Sequence, residues 1–439
     1  MICGIDLGTT MSLIGSGSDM YSNLVSSSVD VSTGQQVDRD FVSKDVVSSY
    51  KTNMSIGESG ELSVKCSTII LKKLVSIAER RSGEKVDEVV ISVPAYFSTS
   101  QREAVIKAAY DGGIKVRTLI NEPTAAALFV CRNVQDLIVV FDLGGGTFDV
   151  TVIDSRAGTY SVVATAGTIL GGDDFDLALT EFAIKQCKIQ VRYQTKLNRA
   201  KIKSKMRLLK ERIQKSGTTE YEDLSEFGAV CDCVVTLEDY KRIMKEVFWK
   251  TVVMTQEVIS KNIPVSEKPK LVFVGGSSSC PYLKEMVNDE LHLDVVECQY
   301  NPDLIVAKGV ALYAGLVEAG TADDILEDVT KRLCIEDEKG CTITIIEDNS
   351  YLPCSSSRVV HNTEKAKKLE LKLYQGNKLL AADNDYIGTL IYNYDEEVEA
   401  GEGIVEVEVS VSVSGVVSLS AYNVLYGEVS RQEIELSAR

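Results

Sequence analysis

Ile5-Asp6-Leu7-Gly8-Thr9-Thr10 returns 136 residues later as Phe141-Asp142-Leu143-Gly144-Gly145-Gly146-Thr147-Phe148-Asp149. In both copies an apolar run delivers an Asp just before a tight, Gly-containing turn, and residues able to form a second strand follow. Glycine lets the backbone come close to a ligand, so that successive N–H groups can converge on phosphate oxygens. Threonine adds a hydroxyl donor beside them. An Asp at this place can hold Mg²⁺ through its water shell, because that ion gives up water reluctantly. One such turn usually just joins two strands, but two of them facing each other would grip a triphosphate from both sides.

Neither copy is a Walker loop, since no G-x-x-x-x-G-K-[ST] occurs. A third glycine turn, Phe273-Val274-Gly275-Gly276-Ser277-Ser278-Ser279, again follows an apolar run and precedes a helical pattern. Its position suits contact with a nucleoside; a plain strand-to-helix turn is the alternative.

Outward from these turns, residues 1 to about 320 alternate short apolar runs with helical patterns, such as Glu88 to Val93 followed by Gln101 to Tyr110. That alternation indicates α/β layers. From about residue 331 the pattern changes to period two, as in Leu369 to Leu373 and Glu406 to Val413, with Gly376-Asn377 and Gly415 placed as turn residues. The expectation is an all-β sandwich over 331–439, reached through a connector of small and acidic residues over 321–330.

A chain of 439 residues is too long for one core, and 44% hydrophobic with 25% charged residues makes it globular. The net charge of -17 would repel a phosphate backbone and argues against nucleic acid or an anionic membrane as the main partner. A local exception is Lys196 to Lys215, where Glu211 is the single acid among many Lys and Arg. A solvated helix face is the reading preferred there over a polyanion site. The eleven cysteines form no C-x-x-C pair and fit no zinc pattern, so they read as reduced, half-buried small residues. Met1-Ile2-Cys3-Gly4-Ile5-Asp6 enters a strand at once, with no leader pattern, and no apolar run is long enough to cross a bilayer. The expected location is cytoplasmic.

Together with the two turns, Ile91-Ser92-Val93-Pro94-Ala95-Tyr96-Phe97, Gln101-Arg102, Ile120-Asn121-Glu122-Pro123-Thr124-Ala125-Ala126-Ala127, Gly171-Gly172-Asp173-Asp174-Phe175 and Asn301-Pro302-Asp303 resemble the signature set of the DnaK-type heat-shock chaperones. The run Val89 to Arg102 and the compact N-terminal region look closest to the HscC-like branch. The resemblance covers nearly the whole chain, more strongly up to about residue 315 than beyond.

It implies an α/β actin-like ATPase domain of two lobes with a duplicated ribonuclease-H-like core at 1–320, trimmed in the region 11–85. A linker at 321–330 and a β-sandwich peptide-binding domain at 331–439 would follow, with no helical lid after Arg439. The implied activity is that of an ATP-dependent chaperone for extended apolar polypeptide. Its cofactors would be ATP or ADP with Mg²⁺, and its partners a J-domain co-chaperone and a nucleotide-exchange factor.

Carried over residue by residue, Gly8, Thr9, Thr10, Gly144, Gly145, Gly146 and Thr147 would hold phosphates, and Asp6 and Asp142 would position the Mg²⁺ waters. Glu122 would orient the metal or the attacking water, and Asp149 would accept a proton or hold the loop. Lys51, matched through Val46 to Tyr50, would stabilise charge on the transferred phosphoryl group; a surface lysine is the bland alternative. Gly171, Gly172 and Asp303 would help bind the nucleotide, and Gly275, Gly276, Ser277 and Ser279 would line its nucleoside side. Pro94 and Arg102 match positions that relay the nucleotide state.

Ser279 departs from the family, which usually has a basic residue there over one adenine face; Arg212 and Lys215 are the expected substitutes. The linker departs too, because Glu327 interrupts an apolar run and a docked charge is unfavourable. The competing functions are a non-catalytic adaptor of the same fold and a small-molecule kinase of the same superfamily.

Overall fold

The structure is a computed structural model. It describes the chain apart from residues 56–59, 133, 158, 297, 323–325, 328, 349, 413–414 and 424–439.

Two mixed sheets carry the first part of the chain. In the first, Ile2–Leu7 pairs antiparallel with Met11–Ser16 and parallel with Glu88–Val93, which in turn pairs parallel with Val116–Asn121. In the second, Leu137–Leu143 pairs antiparallel with Phe148–Asp154 and parallel with Lys270–Val274, and Tyr160–Thr168 extends the other side. Each sheet thus starts from one of the repeated hairpins and adds parallel strands on the same flank. The Asp of each copy occupies the same penultimate place, opposite Leu13 in one and Asp149 in the other.

The helices are α1 (Glu61–Ser82), α2 (Thr99–Asp111), α3 (Glu122–Val130), α4 (Gly172–Gln186), α5 (Lys196–Ser216), α6 (Leu237–Asn262), α7 (Pro281–Leu291) and α8 (Pro302–Glu318). Their ends follow local chemistry. Ser98 and Gln101 form a reciprocal capping box on α2, Thr195 caps α5, Asn301 followed by Pro302 starts α8, and Gly217 at φ 67° ends α5.

One core packs α1 and α2 on the first sheet, through Ile5, Ile70, Leu74, Ile91 and Val105. A second packs α4, α5, α6 and α7 on the second sheet, through Phe141, Phe175, Met206 and Phe248. A third joins the two: Val90 and Ile120 from one sheet, Ile138 and Val272 from the other, and Ala125, Ala126 and Val310 from the helices between. Gly309 is required at that crossing, since an added Cβ would lie 1.9 Å from the Ala125 carbonyl oxygen. Burying α3 and α8 between two sheets fixes the angle between the hairpins above them.

Beyond residue 330 the described elements are strands and one short turn of helix. Thr342–Ile346, Leu333–Glu336, Ala366–Gln375 and Asp385–Val398 make one antiparallel sheet; Cys354–His361, Ile404–Val411 and Val417–Asn423 make another. Leu333, Leu373 and Leu390 of the first share a core with Val405, Val409 and Leu419 of the second. Ile404–Val411 alternates half-buried and buried residues without interruption, as its Glu-Val repeat requires. Gly415 turns at φ 75° before the last strand, and Val413 lies outside the described residues.

Leu326–Glu327 of the connector adds as a parallel strand beside Tyr160–Ser161, on the edge of the second sheet. The neighbouring Asp323, Asp324, Ile325 and Asp328 lie outside the described residues. The β part then rests on the first sheet's flank: Lys331 Nζ donates to the Tyr96 carbonyl at 2.6 Å, and the Thr99 N–H to Gln375 Oε1 at 3.3 Å.

Candidate nucleotide site

Each hairpin turn is pinned from behind. Gly8 donates its N–H to Ser12 Oγ at 3.2 Å, and the Ser27 hydroxyl returns a hydrogen bond to the Gly8 carbonyl at 2.8 Å. In the second copy the Gly172 and Asp173 N–H groups at the start of α4 donate to the Gly144 and Gly145 carbonyls at 3.1 and 2.7 Å. The two turns then meet. An added Cβ on Gly145 would lie 1.8 Å from Thr10 Oγ1, and one on Gly146 would lie 2.8 Å from Thr9 Cγ2. The glycines are therefore needed for hairpin to approach hairpin, in addition to any ligand.

The floor of the cleft is anionic. Asp6 and Asp142 are buried at equivalent strand ends, and Asp6 accepts from Ser92 Oγ at 2.9 Å. Burial, then the nearby Glu122 carboxylate, pushes the Asp6 carboxyl up to about 7. Burial likewise raises Asp142 and Asp149, with Glu122 the next cause in each. Asp149 Oδ1 is buried with no hydrogen-bond partner. Such a site holds more negative charge than its own residues neutralise, which suits a bound cation.

A lysine reaches it. Lys51, on the short helical turn Tyr50–Asn53, is only 2% exposed and places Nζ 2.5 Å from Glu122 Oε1. The surface-lysine reading of Lys51 is thereby corrected: a left-handed Ser49 at φ 55° turns the chain inward just before it. Glu122 itself is the first residue of α3, where the positive end of the helix favours a carboxylate.

The cleft is about 530 Å³ in volume and is lined by Asp6, Gly8, Thr9, Thr10, Lys51, Glu122, Asp142, Gly144, Gly145 and Thr147. At its other end stand Lys215, Gly275, Gly276, Ser277, Ser279 and Asp303. Gly275 at φ 81° makes the third turn, and an added Cβ on Gly276 would lie 2.1 Å from Asp303 Oδ1. Gly146 and Gly171 sit just behind the wall, where an added Cβ on Gly171 would lie 2.6 Å from the Gly146 nitrogen. Gly172 borders the adjoining pocket of about 180 Å³.

Arg212 is a correction. Its guanidinium turns away from the cleft to Glu220 and Glu222, at 3.2 and 2.9 Å, because position 212 lies on the helix flank facing the strand Glu220–Glu222. The helix face itself is also different from the solvated one expected. Lys203 pairs with Asp173, Lys210 with Asp176, and Arg207 with both Asp40 and Glu211. Positions 210, 211, 214 and 215 share one helical face and line the cleft together, a pattern that the i, i+4 spacing announces. Arg39, which had no sequence signal, lines the cleft from the segment between the strands Gln35–Val37 and Val46–Val47 and places Nη1 3.3 Å from Glu211 Oε1.

Among the described residues no three His, Cys, Asp or Glu side chains form a metal-enclosing group, and no helix is long and apolar enough to cross a membrane.

A sequence model of the family described as "Hsp70 protein" matches residues 32–439. The "Chaperone protein DnaK" of Mycoplasma mobile is 29% identical over 99% of this chain and 78% of its own length. That of Mycoplasma mycoides subsp. mycoides is 31% identical over 96% of this chain and 77% of its own length. The corresponding protein of Mycoplasmoides gallisepticum is 28% identical, with 98% and 79% covered. A match over most of the chain, on a structure whose repeated hairpins converge on one anionic cleft, shows that the chain belongs to the Hsp70 family of ATP-dependent molecular chaperones.

Proposed function

We propose that the cleft takes Mg-ATP between the paired hairpins, and that its hydrolysis gates the β part for extended apolar polypeptide. The observation that carries this reading is the buried Lys51–Glu122 pair, set among Asp6, Asp142 and Asp149. Bound Mg²⁺ supplies charge neutralisation for the phosphates and for the carboxylates around it. Asp6 and Asp142 hold its waters. Thr9, Thr10 and Thr147, with the backbone N–H groups of Gly8 and Gly144 to Gly146, hold phosphate oxygens. Lys51 stabilises the charge that develops on the transferred group, and Glu122 holds the lysine in place. Asp149, with its free oxygen buried, takes the proton of the attacking water or keeps the loop in place. Lys215, Ser279 and Asp303 face the nucleoside, with Arg39 as a further cation.

In the same reading, residues 1–320 form the two-lobed actin-like ATPase with its duplicated ribonuclease-H-like core. Residues 321–330 form the linker, and residues 331–439 the peptide-binding sandwich. The path between them runs through Arg102, which donates to Asn121 Oδ1 at 2.7 Å and lies where an added Cβ on Gly415 would come within 3.2 Å. Asn121 directly precedes Glu122, so a shift of the catalytic carboxylate is felt at a helix that touches the β part. A J-domain co-chaperone, a nucleotide-exchange factor and a cytosolic setting belong to the proposal.

The test is ATP turnover measured with and without an apolar peptide, together with peptide release on adding Mg-ATP. Slow turnover that peptide accelerates, and release that ATP triggers, are expected. Turnover without peptide binding in any nucleotide state would leave only an ATPase.

A further inference from the structure

Three cysteines are brought to one place away from the cleft, where residues 230–234 pack on the end of α4. Cys187 caps the C-terminal end of α4, and Cys233 opens the short strand Cys233–Val235; both are fully buried in the core under the second sheet. Cys231 stands just outside them and is the one exposed cysteine of the eleven. Cys231 Sγ lies 4.0 Å from the carbonyl oxygen of Gln186, the residue just before Cys187. Backbone bonds fix the meeting: the Val230 N–H donates to the Cys187 carbonyl at 3.1 Å. The Gln186 side chain both accepts from the Val234 N–H at 3.0 Å and donates to its carbonyl at 2.9 Å. The chain thus leaves this point at 187 and returns to it at 231.

We propose that Cys231, Cys187 and Cys233 form a peroxide-oxidisable site that closes a reversible disulfide between Cys187 and Cys231. Solvent peroxide reaches Cys231 first. Its thiolate attacks one peroxide oxygen, the O–O bond breaks, and the sulfur is oxidised by two electrons to a sulfenic acid while water or an alcohol leaves. The Cys187 sulfur then attacks the sulfenic sulfur, forming the S–S bond and expelling water, which carries off the Cys187 proton. Cys233 stands behind Cys187 as the second possible partner, so a thiol–disulfide exchange can move the bond inward. Exposure makes Cys231 the point of attack for peroxide, while burial pushes the Cys187 thiol up to about 11 and the Cys233 thiol up to about 12.

The bond would staple the base of the excursion that carries α5, the helix whose Lys210, Glu211, Gln214 and Lys215 line the nucleotide cleft. A cross-link at 187 and 231 restrains the unfolded chain and the local opening of that excursion. Oxidation is therefore expected to slow hydrogen exchange in α5 and to raise the thermal midpoint.

The experiment treats the full chain with hydrogen peroxide, then blocks remaining thiols under denaturing conditions and maps peptides without reduction. Expected are loss of two of the eleven thiols, a linked peptide joining Cys187 to Cys231 or Cys233, and full reversal by dithiothreitol. In Cys231→Ser, a change at an exposed position that leaves the core intact, the link should not form at the same peroxide dose. In Cys187→Ala, a dimedone-trapped sulfenic acid should persist on Cys231. A chain that keeps all eleven thiols, or that oxidises Cys231 without a link to either neighbour, overturns the proposal. So does a link that forms equally fast in Cys231→Ser.

Discussion

At the scale of single residues, the site is an electrostatic problem that one lysine only partly solves. Lys51→Ala removes the ammonium that pairs with Glu122 among Asp6, Asp142 and Asp149, and removing one developing-charge stabiliser typically costs about 10²–10³ in rate. Single-turnover hydrolysis of bound ATP should fall by that order, whereas a surface lysine would have changed nothing. The carboxylates give a pH dependence of known sign. Their folded values lie above the ordinary 3.8, with Asp6 at about 7, so folding binds protons more tightly than unfolding does. The Asp6 contribution is fully present below 3.8 and is lost as pH rises through about 7, and the raised Asp142 and Asp149 carboxyls act in the same direction. The thermal midpoint of the nucleotide-free protein should therefore fall between pH 5 and pH 8, and Asp6→Asn or added Mg-ATP should flatten that fall. A midpoint that rises over the same interval contradicts the arrangement of charges.

At the scale of elements, the repeated hairpins work because glycines let them touch. Gly145→Ala places a methyl against Thr10 and should destabilise by roughly 1–3 kcal/mol, as overpacking does. Gly144→Ala meets nothing closer than the Thr147 oxygen at 3.8 Å and should stay within about 0.5 kcal/mol in denaturant unfolding. Equal losses at the two positions would mean that the turns do not interlock. The basic helix α5 teaches the same lesson. Its run of lysines and arginines signalled a helix, and its spacing put four residues on one face. Which acids would meet them depended on the distant segments around Asp40, Asp173 and Asp176, so the ion pairs had no signal in the local sequence.

At the scale of the whole molecule, the docking of the β part on α2 is held by few polar contacts around a cavity of about 480 Å³ lined by Phe97, Arg102, Val258, Lys331 and Gln375. Gln375→Ala removes the acceptor for the Thr99 N–H at the start of α2. It should raise hydrogen exchange there and weaken peptide stimulation of turnover while leaving the basal rate unchanged; retained stimulation would disconnect this contact from gating. The sequence by itself determined the Asp-Gly hairpins, the α/β order, the period-two strands and the family, because each is written in local spacing or in motifs read one after another. Only the tertiary structure decided that Lys51 is buried on Glu122, that Arg212 turns to the Glu220–Glu222 strand while Arg39 enters the cleft, and that Cys187 meets Cys231. Those facts depend on how far-separated elements are brought together by burial of α3 and α8 between two sheets, and long-range packing of that kind leaves no periodic trace along the chain.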